Sequence, residues 1–145
     1  MKRIFILLAL FIMGCGSDIG KDYSLDEKSF DADSLKMVEQ HTGIQLPTDA
    51  RGLNMFYQGS HIDPAFVAKI KIPQSSQESL SRQIEKIPNQ AGSVSGSLTE
   101  KIIWWNPLKA KILIQKQYTV DMNYVRAILC QENEQLMLYV EWIKI

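Results

Sequence analysis

From Phe30 onward the apolar positions change period along the chain, and each change predicts an element. With Asp31 as N-cap, Phe30 falls at N′ and Leu35 at N4, the spacing of a hydrophobic staple. Leu35, Val38 and Thr42 share one face, and Gly43 suits a left-handed stop from which Ile44 folds back on Val38. This predicts a helix over 32–42. In Arg51–Gln58, Leu53, Met55 and Tyr57 alternate with Asn54, Phe56 and Gln58, which is strand period. A turn at 59–64 precedes a second alternation, with Phe66, Ala68, Ile70 and Ile72 on one face. Pro73 ends it. An antiparallel pair with a six-residue loop is the simplest arrangement.

The period returns to 3.6 at Leu80, Ile84 and Ile87. Ser75 and Glu78 stand at capping-box spacing before these residues, and Pro88 follows them. Asn89–Ser97 is polar with two Gly, the composition of a mobile loop. Lys101–Trp105 is a short apolar segment, read as a strand closed by Asn106-Pro107. Leu108–Gln115 alternates; Tyr124–Gln131 and Leu136–Ile143 are apolar on both faces, as interior strands of a covered sheet are. The pattern predicts an α+β fold of order α-ββ-α-(β)βββ, an antiparallel sheet of about five strands with two helices on one face.

Ahead of this lies a different pattern. Lys2 and Arg3 precede the ten-residue apolar run Ile4–Met13. A bilayer-spanning helix needs about 20 residues. Two cations, a short apolar core and then small residues are the layout of a signal peptide. Ile12-Met13-Gly14-Cys15 resembles the lipobox of bacterial lipoproteins, with Ile12 and Met13 standing where Leu and a small residue are usual. The resemblance implies acylation of the Cys15 sulfur and cleavage after Gly14, with the lipid on Cys15 holding the protein at a membrane. Stable anchoring takes more than one acyl chain. Gly16, rather than Asp, follows the Cys. By the family's sorting rule this implies the outer membrane, facing the periplasm, in a Gram-negative source. In a Gram-positive source the same anchor implies the outer face of the cytoplasmic membrane. The domain organisation expected is a signal peptide over 1–14, a flexible tether over 15–29 and one domain over 30–145. About 14 residues of coil reach roughly 20 Å.

Of the 145 residues, removal of 14 leaves 131, enough for one core. Two of the 16 basic residues go with the leader and all 16 acidic residues stay, giving a net charge near −2. That leaves no basic excess for nucleic acid or for charge-driven adhesion to anionic lipid. With Cys15 acylated, Cys130 has no disulfide partner and reads as a small core residue.

Candidate chemistry is sparse. His41 sits at a helix end, where a cation suits the dipole. His61 and Asp63 share a turn, but a metal site wants three or four ligands and none stands at ligand spacing to complete it. Gly92-Ser93-Val94-Ser95-Gly96 has Val at the nucleophile position of a hydrolase elbow. Glu132 and Glu134 read as a solvated hairpin tip. Glu141, in an apolar strand, is the one acid–base candidate; it either pairs with Lys109 or Lys111 across the sheet or sits at an edge. Trp104 and Trp105 are adjacent, so on a strand they face opposite ways, one into the core and the other toward the helix layer, a loop or a partner.

Thr42-Gly43-Ile44-Gln45-Leu46-Pro47, Asp63, Ile70-Lys71-Ile72-Pro73 and Glu141-Trp142 together resemble a widespread group of uncharacterised small bacterial secreted or lipoprotein domains. That resemblance implies no catalytic residue. The reading is a lipid-anchored, non-catalytic binding domain for a protein or envelope component, an immunity or inhibitor protein being one form. It carries no cofactor and no metal, and Trp104 and Trp105 are its partner-binding candidates. A small-ligand binder is the alternative, and an enzyme comes third.

Overall fold

The computed structural model describes residues 20–60, 62–90 and 98–145. The elements run β1 (Tyr23–Asp26), α1 (Ala32–Thr42), β2 (Arg51–Gln58), β3 (Ala65–Ile72), α2 (Gln77–Glu85), β4 (Lys111–Val120), β5 (Asn123–Glu132) and β6 (Gln135–Ile143). All six strands form one antiparallel sheet in the order β1-β2-β3-β6-β5-β4. The α+β class holds, with six strands rather than five. Residues 1–19, and with them the leader and Cys15, lie outside the described residues, as do His61 and residues 91–97.

Helix α1 forms as its sequence dictates. The Asp31 carboxylate accepts from the Ser34 N–H at 2.9 Å and from the Ser34 hydroxyl at 2.8 Å. These bonds hold its acidity below the usual carboxylate range. Gly43 closes the helix at φ 70°, a conformation glycine adopts without steric cost. Buried Tyr118 donates its hydroxyl to the Thr42 carbonyl at 2.6 Å, so the sheet satisfies one of the helix-end acceptors. Helix α2 starts later than the capping-box spacing predicts. Residues Gln74–Ser76 form a 3-10 turn, Ser76 caps without a side-chain bond, and Glu78 pairs with Arg82 instead.

One core lies between the helices and one face of the sheet. Val38, Leu80 and Ile84 from the helices join Met55, Phe66, Ala68, Ile70, Val125, Ala127, Leu129, Leu138, Val140 and Trp142. Phe30 joins them over Gly52, where a β-carbon would overlap its ring.

Two expectations fail. Tyr23–Asp26 lies inside the stretch expected to be a tether, yet it pairs with β2 at the sheet edge. Tyr23 stacks on Tyr57 at 4.9 Å and Leu25 reaches the core. Only two apolar side chains mark this strand, and backbone pairing supplies the rest, so its polar composition hides it. Lys101–Trp105 is not a strand. It belongs to a chain of tight turns over 98–110, in which Ile102 N–H donates to Thr99, Trp105 to Ile102, Lys109 to Asn106 and Ala110 to Pro107 carbonyls. Strand β4 accordingly begins at Lys111 and runs to Val120.

Candidate interaction surface: the 98–110 segment and the cluster beneath it

The second face of the sheet carries the alternate residues of β3, β5 and β6. The pairing of β3 with β6 sets Lys69 beside Tyr139, and that of β5 with β6 sets Arg126 beside Glu141. Ile128, Cys130, Met137 and Tyr139 form an apolar patch there, and Trp105 and Ala110 pack onto it. The 98–110 segment is therefore a cover. It explains why β5 and β6 are apolar on both faces.

Charged groups surround the patch in pairs. Lys69 Nζ lies 2.7 Å from Glu132 and 5.3 Å from the Tyr139 ring centroid. The Tyr139 hydroxyl stands 3.1 and 3.2 Å from the Glu132 oxygens and 3.2 Å from Asn106 Oδ1, so its single proton serves one acceptor at a time. Arg126 Nη2 lies 2.8 Å from Glu141, whose side chain is 1% exposed. The Arg126 guanidinium sits over the Trp105 ring at 5.4 Å, and Trp105 meets Tyr139 edge-on at 5.3 Å. Trp105 is thus held between a cation and an aromatic ring.

This arrangement clamps the cover. Burial, reinforced by the Glu132 charge, pushes the Tyr139 hydroxyl well above the usual phenol range. Burial likewise pushes the Cys130 thiol up to about 11, with Glu132 adding to the shift and Lys69 opposing it. Both stay protonated at neutral pH, and the Lys69 ammonium is neutralised by Glu132. Among the described residues, no three His, Cys, Asp or Glu side chains come together as metal ligands. Glu141 pairs with Arg126, not with Lys109 or Lys111, because β5 and not β4 is its neighbour.

No family model, curated protein or solved structure matches this chain.

The two tryptophans part as a turn, not a strand, parts them. Trp105 points into the sheet; Trp104 is half-buried beside it, the ring centroids 6.4 Å apart. Ile103 is 96% exposed and Leu108 81% exposed on the same segment. Neither side chain is singled out by the sequence pattern. The available signal was the run Ile102-Ile103-Trp104-Trp105 before Asn-Pro, four consecutive apolar residues that one buried face cannot all reach. His41 is half-buried at the other side of the sheet, its Nδ1 2.8 Å from the Met37 carbonyl and its ring 4.5 Å from Trp142. The cleft beside it, about 190 Å³, is smaller than ordinary ligand pockets.

Proposed function

We propose that this chain is an exported lipoprotein whose domain is a non-catalytic binding module for a protein or another envelope component. Residues 1–14 are its signal peptide and Cys15 its lipid-bearing residue, by the cation–apolar–Gly-Cys pattern of the leader. The outer face of the 98–110 segment, with Ile103, Trp104 and Leu108, is the docking surface. One observation carries this reading: the segment is fixed from beneath by Trp105 while Ile103 and Leu108 stand almost fully in solvent. A rigid apolar patch needs little ordering on binding, and aromatic residues are enriched at binding hot spots. The non-catalytic part is supported by the pairing or protonation of the buried and half-buried ionisable groups Lys69, Glu132, Arg126, Glu141, Tyr139 and Cys130.

The test is site-specific photo-crosslinking in intact cells, with the crosslinker at position 103 or 108 and a control at position 134. A discrete adduct at 103 and 108, absent at 134 and lost with Trp104→Asp, is expected. Equal, diffuse labelling at all three positions would reject this surface.

A further inference from the structure

Strand register brings several exposed apolar side chains to one end of the sheet. The pairs Gln58 with Ala65, Ala65 with Ile143, Ile143 with Tyr124, and Asn123 with Val120 run across that end. Beyond this line lie the β2–β3 loop, the β4–β5 turn and residues 144–145. Ile62 in the loop is 78% exposed, Met122 in the turn 84% and Ile145 73%. Lys144 N–H donates to the Pro64 carbonyl at 3.0 Å, and Ile145 N–H to Asn123 Oδ1 at 3.4 Å, so the three pieces are tied together.

The turns at the two ends of the sheet differ. Asp121-Met122 and Asn133-Glu134 both have left-handed backbones, with φ 50° and 66° against 50° and 62°. Such two-residue hairpin turns favour Asn, Asp and Gly. Glu134 gives one turn a charged tip. Met122 gives the other a large apolar tip, at a position where a long side chain is strained.

This end is also where the chain from Cys15 enters the fold. Tyr23 lies across from Tyr57, at the loop end of β2. The Asp22 carboxylate accepts from Gly59 N–H at 2.9 Å, and the Lys21 backbone packs against Gly59. Six peptide links join Cys15 to Lys21. Whatever their conformation, they span at most roughly 20 Å. Lipid on Cys15 therefore keeps the β1 corner of this end within that distance of the bilayer, while the Glu134 turn lies at the far end of the strands.

We propose that this end of the sheet rests on the bilayer, with Ile62, Met122 and Ile145 entering the interfacial region of the phospholipid. The proposal rests on Cys15 being the lipid anchor. The contact is apolar in kind. Lys21 and Lys144 at this end are outnumbered by exposed Asp22, Asp63 and Asp121, so anionic lipid adds no attraction. Single apolar side chains presented by turns suit the boundary between headgroups and acyl chains, where the anchor lowers the cost of association. The domain then stands with its strands rising from the membrane and the 98–110 cover on its flank.

The test uses the full lipidated protein, purified from membranes and reconstituted into phosphatidylcholine vesicles. Ile62→Cys, Met122→Cys, Ile145→Cys and the control Glu134→Cys each receive an environment-sensitive fluorophore, the buried Cys130 staying unlabelled. Acyl-chain nitroxides should quench labels at 62, 122 and 145 several-fold more than at 134, with no increase when phosphatidylglycerol replaces part of the phosphatidylcholine. Aqueous iodide should quench in the opposite order. Equal iodide quenching at all four positions, on protein that floats with the vesicles, would overturn the contact and leave the anchor standing. Protein that fails to float would overturn both. In a second arm, Ile62→Ser with Met122→Asn should lower nitroxide quenching at 145 several-fold. Because Asn relieves the left-handed strain, Met122→Asn alone should raise Tm. Unchanged quenching at 145 in the double variant would overturn the proposal.

Discussion

Replacing Arg126 by Met removes the cation from Glu141, and the structure sets the size of the consequence. Glu141 is 1% exposed and Arg126 Nη2 lies 2.8 Å from it. Without the guanidinium the buried carboxylate loses its ion pair. Breaking a buried pair from one side costs about 3–5 kcal/mol, and the low end applies because the Arg126 side chain is 21% exposed. Loss of the stacking on Trp105 adds roughly 0.5–1 kcal/mol. Urea unfolding, followed by far-ultraviolet circular dichroism, should therefore show Arg126→Met weaker by about 3–4 kcal/mol, with little change in slope. The double variant Arg126→Met, Glu141→Leu removes both charges and should fall within about 1 kcal/mol of the native protein, because removing one partner of a buried pair costs more than removing both. A loss below about 1 kcal/mol in the single variant, or a double variant as weak as the single one, would refute this reasoning. It would mean that the Arg126 pairing does not hold Glu141, and would reopen it as an acid–base candidate.

Gly52→Ala should destabilise by about 3 kcal/mol, since the new methyl overlaps buried Phe30. In a Phe30→Ala background it should cost under about 1 kcal/mol, a coupling that a double-mutant cycle measures. Cys130 should react with a thiol reagent at pH 8 only as fast as the protein opens, because a thiol pushed up to about 11 is ionised to about one part in a thousand there. Asp26 and Asp31 have acidities held below the usual carboxylate range by bonds from Ser29 and Ser34. Their contribution is complete above the ordinary pKa near 3.9 and fades as pH falls through the folded values. Asp26→Asn with Asp31→Asn should flatten the loss of stability below pH ~4, as read by acid titration of the circular dichroism signal.

What was legible in the sequence was what local chemistry decides. The Phe30-Asp31 start and the Gly43 stop of α1 coincide with the structure because cap and staple act within a few residues. Strand β3 follows the alternation of Phe66–Ile72, and β2 follows that of Met55 and Tyr57, but a bulge between Gly52 and Asn54 turns Leu53 to the second face, where it packs with Tyr139 and its neighbours. Strand β1 was not legible, because its two apolar side chains gain their value from Tyr57 and the core across the sheet. The 98–110 cover was half legible. The two-faced apolarity of β5 and β6 requires something on the second face, but nothing local says that Lys101–Trp105 supplies it as turns. The partner of Glu141 depends on strand order, which places β5 beside β6 and keeps Lys109 and Lys111 off that strand. The same non-local register gathers Ile62, Met122 and Ile145, drawn from a span of more than eighty residues, at one end.

Lipid on Cys15 decides where the chain is held. Intact-mass spectrometry of the protein extracted from membranes with detergent measures this in one step. The expected chain begins at Cys15 and is heavier than its residues by a diacylglyceryl group and a further acyl chain. A chain that retains residues 1–14, or one that begins later with an unmodified sulfur at position 15, would contradict it.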